Sequence, residues 1–430
     1  MRYLQIRSSS HTAVALLFLG LLVAGASLAP FSHAQPTVTA TVTGVSEPYG
    51  VAYDPVQGEI FVADYNALMV AVISDTTNTV VANISVGSEP ADIAYDSAKG
   101  EMFVSDSAVD TVSVISDASN TVVATIPVGD EPRGVAYDPD LGQVFVATSQ
   151  TSGSDSGSVY AISDSTNKVV ATIGVPGSAT GLAYDQAKAE IFVSTGNTAV
   201  SVISTTSEKI VASVTVGTLP RGITYDPANG ELYVSNWSAG VNTVSVISDT
   251  SNSVVATVNV GDNPFYSTYY PALGEVFVVN DGTNTVSVIS AATNSVVSTL
   301  TVGKYPDGIA YDSGKNDIFV ANYAPNTVSV VALGAAATTS TQPTTSSSVA
   351  VTATSSVTTT SSSAPASTAV SSSASAPSST TTASTTSSSS SVLWSYLGVV
   401  AICFSLILAV GGRAALKSKI PRNLRQYGRS

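Results

Sequence analysis

Residues 222–258 read GITYDPANGELYVSNWSAGVNTVSVISDTSNSVVATV, and this phrase decides the fold because variants of it recur along the chain. Each copy is anchored by a tyrosine at the end of a short apolar run. The seven anchors are Tyr53, Tyr95, Tyr137, Tyr184, Tyr225, Tyr269 and Tyr311, separated by 42, 42, 47, 41, 44 and 42 residues. A nearly fixed period in this range is typical of repeat proteins, in which each copy forms one structural unit.

Each copy contains four short segments that predict β-strands, because they are rich in Val, Ile, Tyr and Thr. In the fifth copy these are residues 222–226, 231–235, 243–248 and 254–258. The Asp-Pro-Ala-Asn-Gly sequence after the first segment favours a tight turn, since proline presets φ and glycine tolerates positive φ. Four strands in each copy correspond to one blade of a β-propeller.

The two ends of the repeat region predict that the blades close into a ring. The seventh copy stops after its third segment, residues 327–331, and so lacks a fourth strand. The sequence VTATV at residues 38–42 precedes the first copy and matches VVATV at residues 254–258. Pairing the two ends would remove the open edges. We therefore predict an all-β fold, a seven-bladed β-propeller of four-stranded blades over residues 36–333, closed by an N-terminal strand.

The charges of the chain are unevenly distributed. All 30 acidic residues lie between Glu47 and Asp317, together with only eight Lys and Arg, so the repeat region carries about −22. An acidic surface favours solubility and repels phosphate backbones, which argues against a nucleic acid as partner. His11 and His33 precede the repeats, and the single Cys403 follows them. The predicted propeller therefore lacks the commonest general base, the commonest metal ligand and any disulfide.

The N-terminus has the pattern of a secretory leader. Arg2 and Arg7 precede an apolar run at residues 13–24, and small residues occupy positions −3 and −1 of a cut after Ala34. We predict a signal peptide over residues 1–34. An uncleaved membrane anchor is the alternative.

A stalk is predicted after the repeats. Residues 334–391 are nearly all Ser, Thr, Ala and Val, with three prolines and no charge. Such a segment cannot form a core, and Ser/Thr-rich tracts with proline are typical of O-glycosylated stalks. A bare flexible linker is the alternative.

The C-terminus predicts a membrane anchor. Residues 392–411 are apolar and long enough, at about 1.5 Å per residue, to cross a bilayer core as a helix. Trp394 and Tyr396 lie at its front edge, and residues 412–430 form a tail with six Lys and Arg and no acid. Because positive flanks stay in the cytoplasm, we predict a single-pass plasma-membrane protein with its propeller outside the cell.

The phrases PRGITYDPANGELYVSN (220–236), NTVSVIS (242–248) and NSVVATVNVG (252–261) resemble the YVTN-type β-propeller repeat family. The resemblance covers residues 38 to about 332. Members include archaeal surface-layer and cell-surface proteins, so the resemblance implies a binding or structural role at the cell surface. Some relatives are reported to bind DNA, and distant propeller enzymes include lactonases and lyases. The chain departs from the copper and haem propellers, whose centres need histidine, and we expect no cofactor.

The aspartates that follow six of the anchor tyrosines are predicted to form turns rather than to act as acids. They recur nearly unchanged from copy to copy, as structural turns should. They are Asp54, Asp96, Asp138, Asp185, Asp226 and Asp312.

The loops that differ between copies are predicted to share the opposite face of the ring. They connect the fourth strand of one blade to the first of the next, and the second strand to the third. Aromatic and arginine side chains gathered at a channel mouth would make a recognition surface for sugars or peptides. The alternative is that most of these rings pack between blades. The predicted binding residues are Tyr49, Arg133, Arg221, Trp237, Phe265, Tyr266, Tyr305 and Tyr323.

Two sequons are candidate glycosylation sites, at Asn83 and Asn236. Asn236 is expected in a loop and is the better candidate, whereas Asn83 is expected in a strand and needs an outward side chain. Glu47, Glu89 and Glu131 occupy equivalent positions and suggest Ca²⁺ ligands, but neighbouring blades hold them too far apart to share an ion. We therefore predict no metal site.

The leading functional hypothesis is a cell-surface binding or structural module that contacts envelope proteins or glycans. One alternative is an extracellular enzyme of lactonase or lyase type that uses carboxylates and a divalent ion. Another is single-stranded nucleic-acid binding, which Arg133, Arg221 and the aromatic residues permit and the overall charge opposes. No catalytic residue is predicted.

Overall fold

A computed structural model of the 430-residue chain describes residues 35–149, 156–238 and 240–334. These ranges form 28 β-strands and contain no helix, hence none long and apolar enough to cross a membrane. The predicted signal peptide, transmembrane segment and basic tail lie outside the described residues, and so does the stalk after its first residue.

The strands form seven four-stranded antiparallel sheets. Strand β1 (Thr37–Thr43) precedes the first blade. Blade 1 consists of β2 (Pro48–Asp54), β3 (Glu59–Asp64), β4 (Met69–Ser74) and β5 (Thr79–Ser85). Blade 2 consists of β6 (Pro90–Asp96), β7 (Glu101–Asp106), β8 (Thr111–Ser116) and β9 (Thr121–Pro127). Blade 3 consists of β10 (Pro132–Asp138), β11 (Gln143–Thr148), β12 (Ser156–Ser163) and β13 (Lys168–Pro176).

The remaining four blades repeat this order. Blade 4 consists of β14 (Ala179–Asp185), β15 (Glu190–Thr195), β16 (Ala199–Ser204) and β17 (Lys209–Thr215). Blade 5 consists of β18 (Pro220–Asp226), β19 (Glu231–Asn236), β20 (Thr243–Ser248) and β21 (Ser253–Asn259). Blade 6 consists of β22 (Pro264–Tyr270), β23 (Glu275–Asn280), β24 (Thr285–Ser290) and β25 (Ser295–Thr301). Blade 7 consists of β26 (Pro306–Asp312), β27 (Asp317–Asn322), β28 (Thr327–Ala332) and the returning β1.

The pairing of β1 with β28 confirms the predicted closure of the ring. In this antiparallel pair Val42 lies opposite Val328. The equivalent pair in blade 5 is Val258 and Val244, so the N-terminal strand takes the register of an ordinary fourth strand. The chain is a closed seven-bladed β-propeller.

The hydrophobic core is divided among the blade interfaces. Seven clusters of buried side chains occur in the described residues, one between each pair of neighbouring blades, including blades 7 and 1. In every blade, the third residue of the second strand is a fully buried aromatic residue: Phe61, Phe103, Phe145, Phe192, Tyr233, Phe277 and Phe319. Because both faces of a middle strand are covered by neighbouring blades, these strands read as continuous apolar runs rather than alternating ones.

The aspartates after the anchor tyrosines form turns, as predicted. The Oδ1 atom of Asp54 accepts hydrogen bonds from the backbone N–H groups of Val56 (2.7 Å) and Gln57 (3.3 Å). The same turn is formed by the other five: Asp96, Asp138, Asp185, Asp226 and Asp312. These bonds supply partners for backbone groups that the tight turn would otherwise leave unpaired.

The same aspartates also join neighbouring blades. Each aspartate carboxylate interacts with the hydroxyl of the anchor tyrosine in the next blade. Tyr95 interacts with Asp54 in this way, and Tyr53 interacts with Asp312 across the closing interface. In the sixth copy Tyr270 stands where the aspartate would be. There the Tyr311 hydroxyl instead donates to Oδ1 of Asn316, at 3.1 Å. The Tyr-Asp pair is therefore a scaffold contact between blades.

The first strands of the seven blades approach one another closely around the central channel. Their third residue is glycine in five blades: Gly50, Gly134, Gly181, Gly222 and Gly308. A Cβ atom at Gly308 would overlap the carbonyl oxygen of Tyr49 in the next blade. Glycine is required here because the backbones leave no room for a side chain that points toward the next blade.

Candidate binding site at the channel mouth

Two positions in each blade build one mouth of the channel. They are the second residue of the first strand and the first residue after the second strand. A backbone hydrogen bond holds the two loops together, as from Trp237 N–H to the Leu219 carbonyl and from Tyr323 N–H to the Tyr305 carbonyl, both at 2.9 Å. The two sets of variable loops therefore share one face, as predicted.

The side chains at these two positions differ strongly around the ring. The first position holds Tyr49, Ala91, Arg133, Thr180, Arg221, Phe265 and Asp307. The second holds Tyr65, Ser107, Ser149, Gly196, Trp237, Asp281 and Tyr323. Blades 1, 5, 6 and 7 supply the large aromatic and acidic groups, whereas blades 2 and 4 supply small residues. The mouth is therefore chemically asymmetric on a nearly symmetric scaffold.

These side chains enclose a cavity of about 420 Å³. Its lining consists of Tyr49, Tyr65, Arg133, Trp237, Phe265, Asp281, Tyr305, Asp307 and Tyr323. The volume falls within the range of roughly 300–1,000 Å³ that is usual for small-molecule and side-chain pockets. Aromatic walls with a few polar groups are the usual composition of such pockets.

Tyr49 is the centre of the aromatic cluster. Its ring centroid lies 5.8 Å from that of Tyr65, 5.7 Å from that of Phe265 and 6.3 Å from that of Tyr266. The Phe265 centroid also lies 6.4 Å from that of Trp237. The contacts of Phe265 with Tyr49 and Trp237, and that of Tyr49 with Tyr266, are edge-to-face, whereas the Tyr49 and Tyr65 rings are tilted by 36°. Such packing at these distances is favourable, so the rings hold one another in place.

Two of the mouth tyrosines are fixed by hydrogen bonds to glutamates of the next blade. The Tyr323 hydroxyl donates to Oε2 of Glu47 at 2.8 Å, and the Tyr65 hydroxyl donates to Oε2 of Glu89 at 2.6 Å. Since these bonds orient the phenol rings, the aromatic walls are largely formed before any ligand arrives.

Both arginines at the mouth already have partners. Nη2 of Arg133 lies 3.6 Å from Oε2 of Glu131. The Arg221 guanidinium lies over the Trp237 ring, 5.0 Å from the centroid, in a cation–π contact. Arg133 is therefore paired with a carboxylate, whereas Arg221 is held by the Trp237 ring and its Nε atom is buried without a hydrogen-bond partner in the described residues.

The acidic groups at the mouth are less well matched. The Asp307 side chain is buried, with 9 % of its residue surface exposed, and burial together with the nearby Asp281 raises its pKa to about 8. Burial also raises the pKa of Asp281, and an interaction with Trp237 partly opposes this rise. Among the described residues, no hydrogen bond or ion pair reaches the Asp307 carboxylate.

The third residue of the first strand, which is glycine in five blades, is Asp92 in blade 2 and Tyr266 in blade 6. Their side chains occupy the channel below the mouth. Asp92 accepts hydrogen bonds from the N–H groups of Ile93 (3.0 Å) and Val135 (3.1 Å), and burial raises its pKa to about 7. Tyr266 packs against Phe265 with a centroid distance of 5.0 Å, and burial raises its pKa well above the usual value. Neither residue belongs to the cavity lining, but Tyr266 supports the aromatic cluster through Tyr49 and Phe265.

The structure brings the eight predicted binding residues together. Six of them line the cavity: Tyr49, Arg133, Trp237, Phe265, Tyr305 and Tyr323. The other two, Arg221 and Tyr266, contact lining residues. Tyr305 is the most exposed, at 51 %, and lies at the rim. Phe265 is buried and packs both on the core and against the cavity, so the alternative of packing between blades applies in part.

Sequence reasoning did not select three lining residues, Tyr65, Asp281 and Asp307. All three occupy the two variable positions described above. Comparing the seven copies column by column would have found them, because these columns are among those in which the copies differ most. The two aspartates do not stand out in the sequence because acidic residues are common throughout the repeats.

The expected loop location of Asn236 is wrong, whereas the expected strand location of Asn83 is confirmed. Asn236 is the last residue of β19 rather than a loop residue, and it is completely buried. Its Nδ2 atom donates to the hydroxyls of Thr243 and Ser245, both at 3.0 Å. Asn280 and Asn322 make the same bonds in blades 6 and 7. Asn236 is therefore a structural residue, whereas Asn83 is exposed on the outer strand β5.

Glu47, Glu89 and Glu131, considered above as Ca²⁺ ligands, have separate partners on three different loops. Glu47 and Glu89 accept from tyrosines, and Glu131 pairs with Arg133. Within residues 35–149, 156–238 and 240–334, no group of three or more His, Cys, Asp or Glu is arranged to hold a metal ion.

The fold and the mouth place the chain in the class of seven-bladed β-propellers, and comparison with solved structures agrees. Hydrazine synthase from Kuenenia stuttgartiensis aligns with a TM-score of 0.61 and 18 % sequence identity, over 69 % of this chain and 98 % of that chain. At this identity the similarity shows the fold alone. No protein-family model matches the chain, and no curated protein matches it.

Proposed function

We propose that the chain is a cell-surface binding module of the YVTN-type, surface-layer-like kind. In this proposal the signal peptide directs export, residues 392–411 anchor the chain, and the stalk holds the propeller away from the membrane. The mouth of the channel then contacts proteins or glycans of the cell envelope. The order of the segments along the sequence supports this topology.

One observation carries the proposed binding role. Two positions that differ strongly between blades converge on an aromatic cavity of about 420 Å³, whereas the turns on the opposite face are nearly identical. Loops on a rigid scaffold are where binding residues concentrate. Aromatic side chains there give large contact areas at a low cost in conformational entropy.

A capture experiment tests the binding role. The full-length chain is immobilised and incubated with an envelope extract, in parallel with a variant that carries Tyr305→Ala and Tyr323→Ala. The control carries Val211→Ala and Val255→Ala, at side chains that are each 52 % exposed on outer strands. We expect the first variant to lose at least about tenfold in recovery of the bound envelope component, since buried aromatic contacts dominate binding. Equal recovery by all three chains would reject the mouth as the binding site.

A further inference from the structure

The cavity at the channel mouth has an excess of negative charge. Asp281 and Asp307 line it, and Glu47, Glu89 and Glu131 contact its lining residues. The only guanidinium groups that offset these acidic groups are that of Arg133 in the lining and that of Arg221 over Trp237. Because low-dielectric walls concentrate this field, the cavity favours a cation over an anion.

In the described part of the chain, Asp307 is the carboxyl group of this set that lacks a hydrogen-bond or ion-pair partner. Glu47 and Glu89 accept hydrogen bonds from tyrosines, and Glu131 pairs with Arg133. Asp281 interacts with Trp237. Asp307 is buried in the cavity wall, and in the described part of the chain it has neither a hydrogen bond nor an ion pair. Because an unpaired buried carboxylate is costly, the raised pKa keeps the Asp307 carboxyl largely protonated in the free chain at neutral pH. A cation from a ligand would stabilise its ionised form and displace this proton.

Aromatic rings surround the space above Asp307. Tyr49, Phe265 and Tyr323 line the cavity with it, and Tyr305 stands at the exposed rim. The negative faces of such rings attract ammonium groups and strengthen as water is excluded. The Arg221 guanidinium over Trp237 shows the same preference within this site.

The depth of the carboxylate limits the shape of the ligand. Asp307 is 9 % exposed, whereas the rim residue Tyr305 is 51 % exposed. A ligand must therefore pass the rings with a slender apolar stem and carry its charge at the tip. A lysine side chain has four methylenes and a compact terminal ammonium, and so it fits both the aromatic walls and the acid beneath them.

We propose that the mouth of the channel binds a lysine side chain of a partner protein, with its ammonium group against the Asp307 carboxylate and its methylenes against Tyr49, Phe265 and Tyr323. This assignment rests on the proposed binding function and names the chemistry that the mouth recognises.

Ligand-observed NMR with the full-length chain tests the assignment. The probes are Nα-acetyl-lysine methylamide, the same compound acetylated on Nε, and glucosamine. The Nε-acetyl compound keeps the stem and loses the charge. We expect the lysine compound to bind at least about tenfold more tightly than the other two, because a charge-assisted hydrogen bond contributes roughly that factor. Equal binding of the acetylated compound, tighter binding of glucosamine, or no binding of the lysine compound up to about 10 mM would overturn the proposal.

Two variants locate the bound ammonium. Asp307→Asn keeps the shape and removes the charge, and Glu208→Gln makes the same change at an exposed turn. We expect only Asp307→Asn to weaken lysine binding, by at least about tenfold. Unchanged affinity in a folded Asp307→Asn chain would overturn the assignment. If the chain captures an envelope component through Tyr305 and Tyr323 but ignores the lysine compound, the lysine assignment fails while the binding function stands.

Discussion

At the scale of single residues, the molecule separates scaffold positions from variable ones. The repeated tyrosine and aspartate, such as Tyr95 and Asp54, form turns and join blades. The two mouth positions carry a different side chain in nearly every blade, as Tyr49, Arg133 and Asp307 illustrate. The most conspicuous residues of the sequence therefore stabilise the ring, and we propose that recognition occurs where the copies differ.

The raised pKa of Asp307 predicts how the stability of the folded chain depends on pH. Its pKa is about 8 in the folded chain and about 3.9 in an unfolded one. A raised carboxyl pKa stabilises the fold fully below pH 4, and this contribution is lost as the pH rises through 8. We expect Asp307→Asn to raise Tm at pH 8.5 by at least about 2 °C and to leave it nearly unchanged at pH 4. Calorimetry checks this, with Glu208→Gln as the exposed control, and a shift of equal size at both pH values would contradict it.

The close approach of the first strands at Gly308 leads to a prediction about stability. A Cβ atom there would overlap the Tyr49 carbonyl oxygen, whereas a Cβ at Gly174 would have nothing within 4 Å. We expect Gly308→Ala to reduce the free energy of unfolding by about 1–3 kcal/mol, because a packed interior does not accept extra atoms. Denaturant titration measures the change. A similar loss from Gly174→Ala would show that the close approach is not its cause.

The two sequons give a prediction about modification. Asn83 is exposed on β5, whereas the amide of Asn236 is buried and donates two hydrogen bonds. A glycan needs an accessible side chain and, under the proposed export, both sequons meet the glycosylation machinery. We therefore expect mass spectrometry of the protein from its native cells to find glycan on peptides containing Asn83 and none on those containing Asn236. Glycan on Asn236 would contradict the packing at the end of β19.

At the scale of elements, the closing strand β1 couples the two ends of the repeat region. It occupies the outer position of blade 7 and pairs with β28 along its length. Val42 enters the cluster between blades 7 and 1 at 2 % exposure, whereas Val38 on the same strand is 41 % exposed. The closure of the ring therefore depends on the buried face of β1.

This difference predicts the effect of charge on the closing strand. We expect Val42→Asp to destabilise the chain by more than about 3 kcal/mol, because it buries an unpaired carboxylate. The matched change Val38→Asp should alter stability by less than about 0.5 kcal/mol, since it leaves the charge in water. Equal unfolding midpoints for the two variants in urea would show that β1 does not close the ring.

At the scale of the whole molecule, the ring could be predicted from the sequence almost completely. The period of the anchor tyrosines gave the blade count, and VTATV before the first copy gave the closure, because both are local patterns. The buried amide of Asn236 could not be recognised from its own copy. Its role follows from hydrogen bonds to β20 that recur in blades 6 and 7. The full lining of the cavity could not be predicted from the sequence, because its residues lie far apart along the chain.

Hydrogen exchange of the full-length chain, with and without the envelope component that it captures, tests the central claim most directly. The claim is that recognition occurs at the mouth, where the copies differ. We predict slower exchange in the loops that contain Tyr65, Trp237, Asp281 and Tyr323, with no change in the turns that follow the anchor tyrosines on the opposite face. Protection of those turns or of the outer strands, with the mouth loops unchanged, would contradict the account.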